Sequence, residues 1–453
     1  MPIPIRIRNK VQIPLFDKEK IKQLSAIYTH LNPDFFKMTA MGYYAARDIK
    51  SFEINGTHLI LPRGRLREIG EILAGIDFEI IDERIVVPLT INFTPIITLT
   101  PFQNKAVTDL SVFSQGILVS PTGSGKTYIG LDMIRIKKQN TLILMGRDLL
   151  LKQWKTAIKD YLGREMPIGE ISGSRKEIKP VTLAMIQSLS NFDDNKFKDL
   201  NKRFGMILVE ECQHIPASAL FRVINKLDAK YRFGLSATEK RKDRREFLLY
   251  DTLGTNTVNM DDHYDFGGLI RKYKTLETSN FEYNFDNDFT TMLSSIVGNI
   301  ERNRFIMNRV IEDAKLENKI LVITERVQHA QILYNMISES KYRVILLTGA
   351  LSVEQKEEIK IKYANNDFDI LVATRGIIGE GIDIPILNCL HLVTPSNNFY
   401  LLKQMVGRVL RKTNEVKTVY IRDYSDTKCD YLRKIAKKRS NFLKKMGFIY
   451  ESD

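Results

Sequence analysis

The sequence predicts an α/β protein in which two domains with parallel sheets follow a small N-terminal α+β domain. Its 453 residues suffice for about two to four domains. From residue 98 onward, short apolar runs alternate with amphipathic helical segments, and a second such series follows a polar stretch near residues 275–290. This alternation is typical of parallel sheets covered by helices on both faces. We therefore place the domains at residues 1–95, 96–268 and 269–453.

The N-terminal domain mixes short apolar runs with turn residues, which indicates a compact α+β unit. Apolar periodicity predicts helices at residues 17–32 and 65–74 and a pair of strands within residues 79–89. Alternating apolar residues from Phe52 to Leu61 predict a further strand, and the Pro-Arg-Gly sequence that follows closes it.

Three arginines follow this strand, namely Arg63, Arg65 and Arg67. Arg63 and Arg65 are our candidates for contacts to a nucleic-acid backbone, which would make the domain a binding accessory. A solvated cluster of surface charge is the alternative interpretation.

The two series of buried strands are clear in the sequence. The first comprises residues 116–120, 141–145, 181–185, 206–209 and 232–235. The second comprises residues 320–324, 343–348, 370–373, 389–393 and 417–421. A basic amphipathic segment from Tyr431 to Met446 predicts a C-terminal helix packed on the second series.

The composition favours a polyanionic partner in a reducing compartment. The chain carries 68 Lys and Arg residues against 54 Asp and Glu residues, a formal net charge of +14. Nucleic acid fits this charge, although a basic surface kept for solubility fits it as well. Three scattered cysteines, Cys212, Cys389 and Cys429, are too few for a disulfide framework or a zinc site with paired ligands. With no signal peptide or membrane span in the sequence, we expect a cytoplasmic protein.

A phosphate-binding loop is predicted between Gly116 and Thr127. An apolar strand, a glycine-rich turn and a helix follow one another there, so backbone N–H groups and a helix N-terminus would face phosphate oxygens. Lys126 would reach the β and γ phosphates of ATP, and Thr127 would hold Mg²⁺. The nucleotide-binding residues of the loop are Pro121, Thr122, Gly123, Ser124, Gly125, Lys126 and Thr127.

Two adjacent carboxylates end a later buried strand. Glu210 is placed to reach the metal and Glu211 to orient or deprotonate the attacking water. Two glutamates after a strand also suit the start of a helix, and only the pairing with Lys126 favours catalysis.

Seven short segments occur in a fixed order along the chain: Thr100–Gln103, Ser120–Thr127, Glu210–Gln213, Gly234–Thr238, Leu321–Arg326, Ala373–Arg375 with Gly379–Asp383, and Gln404–Arg411. They resemble the Q motif and motifs I to VI of superfamily 2 helicases, and the resemblance covers nearly everything from Thr98 onward. It implies two tandem RecA-like domains with ATP and Mg²⁺ as cofactors.

The resemblance also implies residue roles. Phe102 and Gln103 would contact adenine, and Gly381 and Asp383 of motif V would contribute to the nucleotide site. The residues that couple hydrolysis to domain movement would be Gln213, His214, Ser236, Ala237 and Thr238.

Motif VI adds a mechanism of its own. On a helix, Gln404, Arg408 and Arg411 share one face because they are four and three residues apart. In an ATP site formed between two domains, these arginines would neutralise the charge that develops on the transferred phosphoryl group. Taken alone, the same spacing also fits a salt-bridged surface helix.

Several positions depart from the helicase pattern. Ser120 stands where the loop pattern has its first Gly, and Glu210 stands where motif II usually begins with Asp. Gln213 replaces the usual His, with His214 one residue later, so coupling could run through either side chain. Gly146-Arg147 stands where motif Ia usually has a Pro-Thr pair, and Glu239 stands where a Pro often follows motif III.

Contacts to a nucleic-acid strand are expected from both series. The candidates are Arg147, Lys152, Gln187, Ser188, Arg326, Thr374 and Arg375. Backbone contacts of this kind would make affinity fall steeply with salt.

Details of the motifs resemble DNA-directed helicases, the group that contains phage UvsW, helicases of T5-type phages, the repair helicase XPB and helicase subunits of restriction enzymes. The resemblance implies a 3′-to-5′ translocase that acts on forked DNA and Holliday junctions, in the host cytoplasm if phage-encoded. Two alternatives stay open: an RNA helicase of the DEAD type, and an ATP-gated nucleic-acid clamp with little turnover.

Overall fold

The computed structural model describes most of the chain. The described residues are 2–91, 95–120, 124–213, 217–238, 241, 243–260, 269–275, 289–379, 384, 386–396, 399, 402, 405–406, 418–426 and 429–451. The chain forms two compact units that divide after Asp262. In the described part, no helix is long and apolar enough to cross a membrane. Its three cysteines are buried and free.

The N-terminal domain, in the first unit, is a small α+β fold. Its elements are β1 (Ile3–Ile7), β2 (Lys10–Pro14), α1 (Lys18–Ala26), β3 (Thr29–Leu31), α2 (Phe35–Ala40), β4 (Asp48–Lys50), β5 (Glu53–Asn55), β6 (His58–Pro62), α3 (Leu66–Ile72) and β7 (Phe78–Asp82). Five strands form one sheet in the order β5-β6-β2-β1-β7, and β3 pairs with β4. Apolar residues from this sheet, α1 and α3 fill its core.

Three local predictions for this domain need correction. Residues 52–61 form the hairpin β5-β6 and not one strand, because Gly56 and Thr57 form a tight turn between the paired residues Asn55 and His58, and Gly56 has a φ of +55°. Residues 79–89 contain β7 alone, which pairs in parallel with β1. The helix expected at residues 17–32 ends at Ala26, and Tyr28 enters the core with its hydroxyl donating to the Pro62 carbonyl.

The remainder of the first unit is a parallel α/β domain. Its elements are α4 (Pro101–Ser111), β8 (Gln115–Val119), α5 (Lys126–Lys137), β9 (Thr141–Met145), α6 (Asp148–Leu162), β10 (Ile168–Ser172), β11 (Arg175–Glu177), β12 (Val181–Met185), α7 (Ile186–Ser190), α8 (Asp194–Asn201), β13 (Met206–Val209), α9 (Ala217–Ile224), β14 (Tyr231–Ser236), α10 (Phe247–Leu253) and β15 (Thr257–Asn259). The sheet order is β11-β10-β12-β9-β13-β14-β8-β15. All pairings except β10 with β11 are parallel.

The order of the strands in the sheet determines which strand ends lie close together in this domain. Strands β12, β9, β13, β14 and β8 are consecutive neighbours and run in the same direction. Their carboxyl ends therefore lie along one edge, where open parallel sheets bind their ligands. Separate apolar clusters pack on the two faces of the sheet.

The second unit repeats this architecture. Its elements are β16 (Leu269–Lys274), α11 (Phe289–Gly298), α12 (Ile300–Lys315), β17 (Ile320–Thr324), α13 (Val327–Ser338), β18 (Val344–Leu347), α14 (Val353–Ala364), β19 (Ile370–Thr374), α15 (Arg375–Gly379), β20 (Cys389–Leu392), β21 (Tyr420–Ser425), α16 (Asp430–Lys445) and β22 (Ile449–Tyr450). The sheet order is β18-β19-β17-β20-β21-β16-β22, with parallel pairings throughout. The two-domain α/β prediction is confirmed.

The N-terminal arginines are structural, which corrects the prediction that Arg63 and Arg65 contact nucleic acid. Arg63 is fully buried, and its guanidinium donates to the carbonyls of Arg8 at 2.9 Å, Ala229 at 2.5 Å and Lys230 at 3.0 Å. Arg65 pairs with the buried carboxylate of Asp251 at 2.5 Å. Both arginines are occupied in joining the N-terminal domain to the α/β domain of the same unit.

Candidate nucleotide and nucleic-acid site

The phosphate loop lies at the carboxyl end of β8. Gly125 has a φ of +84°, a left-handed conformation that suits glycine, and α5 begins at the next residue. The Lys126 side chain is buried, and its Nζ donates to the Ser120 carbonyl at 3.0 Å. The ammonium group thus lies across the base of the loop, between the end of the strand and the start of the helix.

Gln103 borders the same loop. Its Oε1 accepts a hydrogen bond from the Thr100 N–H at 2.9 Å, and the Thr100 hydroxyl caps the Gln103 N–H, so the two residues form a capping box at the start of α4. A Cβ atom at Gly125 would lie 2.3 Å from Gln103 Nε2, so the Gln103 side chain lies directly against this glycine. The preceding Phe102 is partly buried and packs against the core.

Glu210 is a buried carboxylate at the end of β13. Its pKa is raised to about 8, mainly by burial and also by the charge of Glu211, while the Lys126 ammonium opposes both effects. Its Oε2 is buried and makes no hydrogen bond within the described part of the chain. An orphaned carboxylate oxygen close to a lysine is costly unless a cation or a proton satisfies it. These features fit a divalent metal ion.

Glu211 has a different environment. Its φ of +46° is unusual for a residue other than glycine, and such backbone strain concentrates at functional sites. Its Oε2 accepts a hydrogen bond from Gln213 Nε2, and Gln213 Oε1 in turn accepts one from the Ser236 hydroxyl. A chain of side-chain contacts therefore leads from motif II to motif III.

Motif III completes this chain at the end of β14. The Ser236 hydroxyl also contacts the Thr238 carbonyl, and the Thr238 N–H donates to Ser236 Oγ at 3.1 Å. Ala237 is buried between them. The sequence left Gln213 and His214 as alternatives for coupling motif II to motif III. Gln213 contacts Ser236, and His214 lies outside the described residues.

Arg241 is a residue that the motif reasoning missed. Its guanidinium donates to the Gln213 carbonyl at 3.0 Å and the Cys212 carbonyl at 3.3 Å, and it pairs with Asp243 at 2.8 Å. It therefore holds the backbone of motif II from the segment that follows motif III. The run of basic residues after Thr238 was the available signal, but the sequence did not show which of them turns inward.

The nucleic-acid candidates of the first unit lie on the same edge of its sheet. Arg147 and Lys152 are exposed, at the start of α6 and in its first turns. Gln187 Nε2 donates to the Gly146 carbonyl at 3.2 Å, and Ser188 Oγ accepts from the Gly173 N–H at 3.2 Å. The first pair is available to a partner, whereas the second pair has local contacts.

In the second unit, Arg375 lies in a small pocket at the carboxyl edge of the sheet. Its guanidinium contacts Glu325 and the Ser396 hydroxyl, the latter at 2.5 Å. Thr374 is buried and Arg326 is partly buried. Arg375 is thus held by an acidic partner at the end of β17.

Ser124 is buried and Thr127 is partly buried at the start of α5. Nine other predicted site residues lie outside the described residues. They are Pro121, Thr122, Gly123, His214, Gly381, Asp383, Gln404, Arg408 and Arg411.

Two family matches cover both α/β domains. Residues 96–241 match the family of the type III restriction enzyme res subunit, and residues 302–413 match the helicase conserved C-terminal domain. The chain belongs to the superfamily 2 helicases. Members of this class use ATP to unwind nucleic acid, and both domains of the motor are present here in the usual order.

Viral and cellular helicases are among the relatives. Helicase D10 of Escherichia phage T5 is 24% identical over 74% of this chain and 73% of that protein. The DNA 3′-5′ translocase XPB2 of Sulfurisphaera tokodaii is 23% identical over 70% of this chain and 80% of that protein. A protein of Acanthamoeba polyphaga mimivirus named as an ATP-dependent RNA helicase, L396, is 27% identical over 78% of this chain and 68% of that protein.

Solved helicase structures are similar to this chain. Dbp5 of S. cerevisiae bound to RNA and ADP BeF3 aligns with 78% of this chain and 94% of that chain, at 13% identity and a TM-score of 0.51. The structure of T4 UvsW covers 100% of this chain and 99% of that chain, at 17% identity and a TM-score of 0.46. The Dbp5 alignment supports the fold alone.

Proposed function

We propose that this helicase is an ATP-dependent 3′-to-5′ DNA translocase that unwinds or branch-migrates forked DNA and Holliday junctions. The observation that carries the ATP-driven part is the convergence of Lys126 and the Glu210–Glu211 pair at one edge of the first sheet. The choice of DNA, of polarity and of branched substrates rests on the resemblance to DNA helicases, including a relative named as a DNA 3′-5′ translocase.

In this proposal the residues of the first unit bind and orient ATP. Lys126 exchanges the Ser120 carbonyl for β and γ phosphate oxygens, and Gln103 contacts adenine beside the loop. Thr127 and Glu210 would hold Mg²⁺, which neutralises phosphate charge and polarises the γ-phosphoryl group when bound. Glu211 orients the attacking water and accepts its proton, and Gln213 fixes the position of that carboxylate.

Residues of the second series complete the chemistry in this proposal. Arg408 and Arg411, supported by Gln404, neutralise charge on the transferred phosphoryl group, and Gly381 and Asp383 contribute to the nucleotide site. Arg147, Lys152, Arg326 and Arg375 contact the strand backbone. The pairing of Arg375 with Glu325 would then exchange for phosphate when DNA binds.

A steady-state ATPase assay across several nucleic acids tests the proposal. The panel is single-stranded DNA, blunt duplex, a fork, a four-way junction and RNA, each at several salt concentrations. We expect the largest stimulation by branched DNA and a steep loss of apparent affinity with salt. Greater stimulation by RNA would replace this proposal with the RNA helicase that the mimivirus relative's name suggests. Binding without turnover would favour the ATP-gated clamp.

Two substitutions test the assigned chemistry. Lys126→Ala removes the ammonium group that binds phosphate, and we expect it to abolish turnover. Glu211→Gln removes the proton acceptor, and we expect its kcat to fall by about 10²–10⁴-fold. DNA affinity measured by fluorescence anisotropy should stay within a few-fold of the wild type for both. Lys159→Ala and Glu165→Gln are matched controls because both side chains are exposed on the same domain. Wild-type turnover in either site variant would contradict the assigned roles.

A further inference from the structure

One segment of the N-terminal domain is ordered without contributing to a core. Residues 29–50, here called the aromatic insert, comprise β3, α2 and β4 between α1 and β5. Strands β3 and β4 pair only with each other in the described part of the chain, and no residue of the insert is buried. A two-stranded ribbon with no buried face is marginal on its own, so the insert is suited to completing its packing against a partner.

The insert exposes large apolar side chains that a soluble domain usually covers. Phe36 is 68% exposed, Tyr43 63% and Tyr44 95%, and Leu31 and Met41 are exposed beside them. Within the described residues, these three rings are the aromatic members of the set of large exposed apolar side chains. Their concentration in one short segment marks an interaction surface rather than scattered surface residues.

The insert carries three exposed cations and two acidic residues, Asp34, which pairs with Arg245, and Asp48. Lys37, Arg47 and Lys50 are exposed in the insert, and no ion pair engages them within the described residues. Exposed rings interspersed with cations are the combination that binds single-stranded nucleic acid, since rings stack on bases and cations track the phosphates. A purely apolar partner would leave these cations desolvated and unpaired.

The insert is fixed to the segment that follows motif III. Asp34 pairs with Arg245 at 2.9 Å, and the His30 ring stacks on Phe247 with centroids 4.2 Å apart. His30 Nε2 also lies 2.8 Å from the Asp251 carboxylate. The same segment begins with Arg241, which holds the motif II backbone. The insert is therefore attached to the first α/β domain through His30 and Asp34.

We propose that the aromatic insert binds unpaired bases at the branch point of the DNA substrate, with Tyr43 and Tyr44 stacking on bases and Lys37 and Arg47 contacting phosphate. This inference rests on the proposed function, because it names the part of the DNA that the N-terminal domain recognises. Stacking tolerates every base, so the insert distinguishes branched from fully paired DNA without reading sequence.

The full chain with a fork that carries 2-aminopurine at the unpaired branch position provides the test. We expect the wild type to change 2-aminopurine fluorescence on binding, and Tyr43→Ala/Tyr44→Ala to lose that change and about tenfold or more of the affinity for the fork. Affinity for blunt duplex should change much less. Tyr43→Phe/Tyr44→Phe should restore both readouts because the rings are retained.

Further variants distinguish base stacking from a general loss of apolar surface or of folding. Ile80→Ala removes an exposed apolar side chain outside the insert and should bind the fork like the wild type. Melting temperatures of all variants check folding. The change in 2-aminopurine fluorescence is also measured with the wild type alone, where no substitution can disturb folding. An unchanged wild-type signal, or equal fork affinity in the double alanine variant, overturns the inference and points to a protein partner. Absence of DNA-stimulated turnover in the wild type instead removes the proposed function.

Discussion

Glu210 and Glu211 are adjacent at the end of β13 but lie in different chemical environments. The Glu210 side chain is buried beside Lys126 and has a raised pKa, whereas Glu211 turns away through a left-handed backbone and contacts Gln213. The extra methylene of Glu210, relative to the usual Asp of the family, still leaves an oxygen without a partner in the described structure. The departure from the family pattern is thus compatible with a metal ligand at this position.

Gln213→Ala tests the contact between motifs II and III. The change removes the hydrogen bonds to Glu211 and Ser236 together, so Glu211 loses its orientation and the two motifs lose their connection. We expect the base pairs unwound per ATP hydrolysed to fall more than kcat itself, measured by parallel unwinding and ATPase assays. Gln153→Ala on the exposed face of α6 is the control. Equal loss in both assays would assign Gln213 to hydrolysis alone.

Among single residues, the sequence indicated the positions of those that lie at or near the carboxyl end of a strand. Glu210 directly follows β13, Ser236 ends β14, and Lys126 begins the helix that comes after β8, so all three lie at the carboxyl ends of neighbouring parallel strands. The prediction that Arg63 and Arg65 contact nucleic acid was wrong. Their partners, Ala229, Lys230 and Asp251, lie far away in sequence. Nothing local distinguishes an arginine that caps distant carbonyls from one that faces solvent.

Elements with strong hydrophobic signals were predicted well. The strands of both parallel series coincide with the observed ones within a few residues, and α16 buries Leu432, Ile435 and Leu443 as the amphipathic pattern indicated. The hairpin β5-β6 differs from the single strand expected at residues 52–61 because the apolar alternation continues across the turn. The parallel pairing of β7 with β1 depends on tertiary contacts that alternation does not encode.

His329 in α13 makes the stability of the second unit pH-dependent. Burial, with a contribution from the Arg302 charge, lowers the pKa of His329 to about 3. The neutral ring accepts from the Thr324 hydroxyl at Nδ1 and donates from Nε2 to Asn303 Oδ1 at 3.0 Å. The unfolded chain binds a proton below its ordinary pKa of 6.5, so stability is full above that pH and is lost as pH falls toward 3.

Calorimetry of the wild type and His329→Gln at pH 7 and pH 5 measures this effect. Between those two values we expect the wild type to lose about 2 kcal/mol more than the variant, because the variant has no titrating ring. The Gln amide can still donate to Asn303. Identical pH dependence of the two proteins would show that His329 titrates normally in the folded state.

The N-terminal domain and the first α/β domain are joined by buried polar contacts. Asp251 on α10 accepts from Arg65 and Ser51 and contacts His30, and its side chain is fully buried. Gly64 lies against the backbone of Tyr250 and Asp251, where a Cβ atom would meet the Tyr250 carbonyl at 1.9 Å. The N-terminal domain and the first α/β domain therefore belong to one compact unit.

Asp251→Ala tests this connection. The change leaves three polar partners without their shared acceptor and should cost about 3–5 kcal/mol, because breaking a buried pair strands the remaining charge. We expect the melting temperature of the full chain to fall by several degrees. Asp109→Ala removes an exposed pair with Lys105 and should have little effect. Equal melting of the Asp251 variant and the wild type would refute the proposed role of the contact.

In the proposed function, ATP hydrolysis at Lys126 and Glu211 drives the remodelling of branched DNA. Conversion of a labelled four-way junction to duplex products, followed by gel electrophoresis with and without ATP, measures this directly. We expect ATP-dependent conversion by the wild type, and binding without conversion by Glu211→Gln. Conversion by the wild type that does not require ATP, or equal conversion by Glu211→Gln, would contradict it.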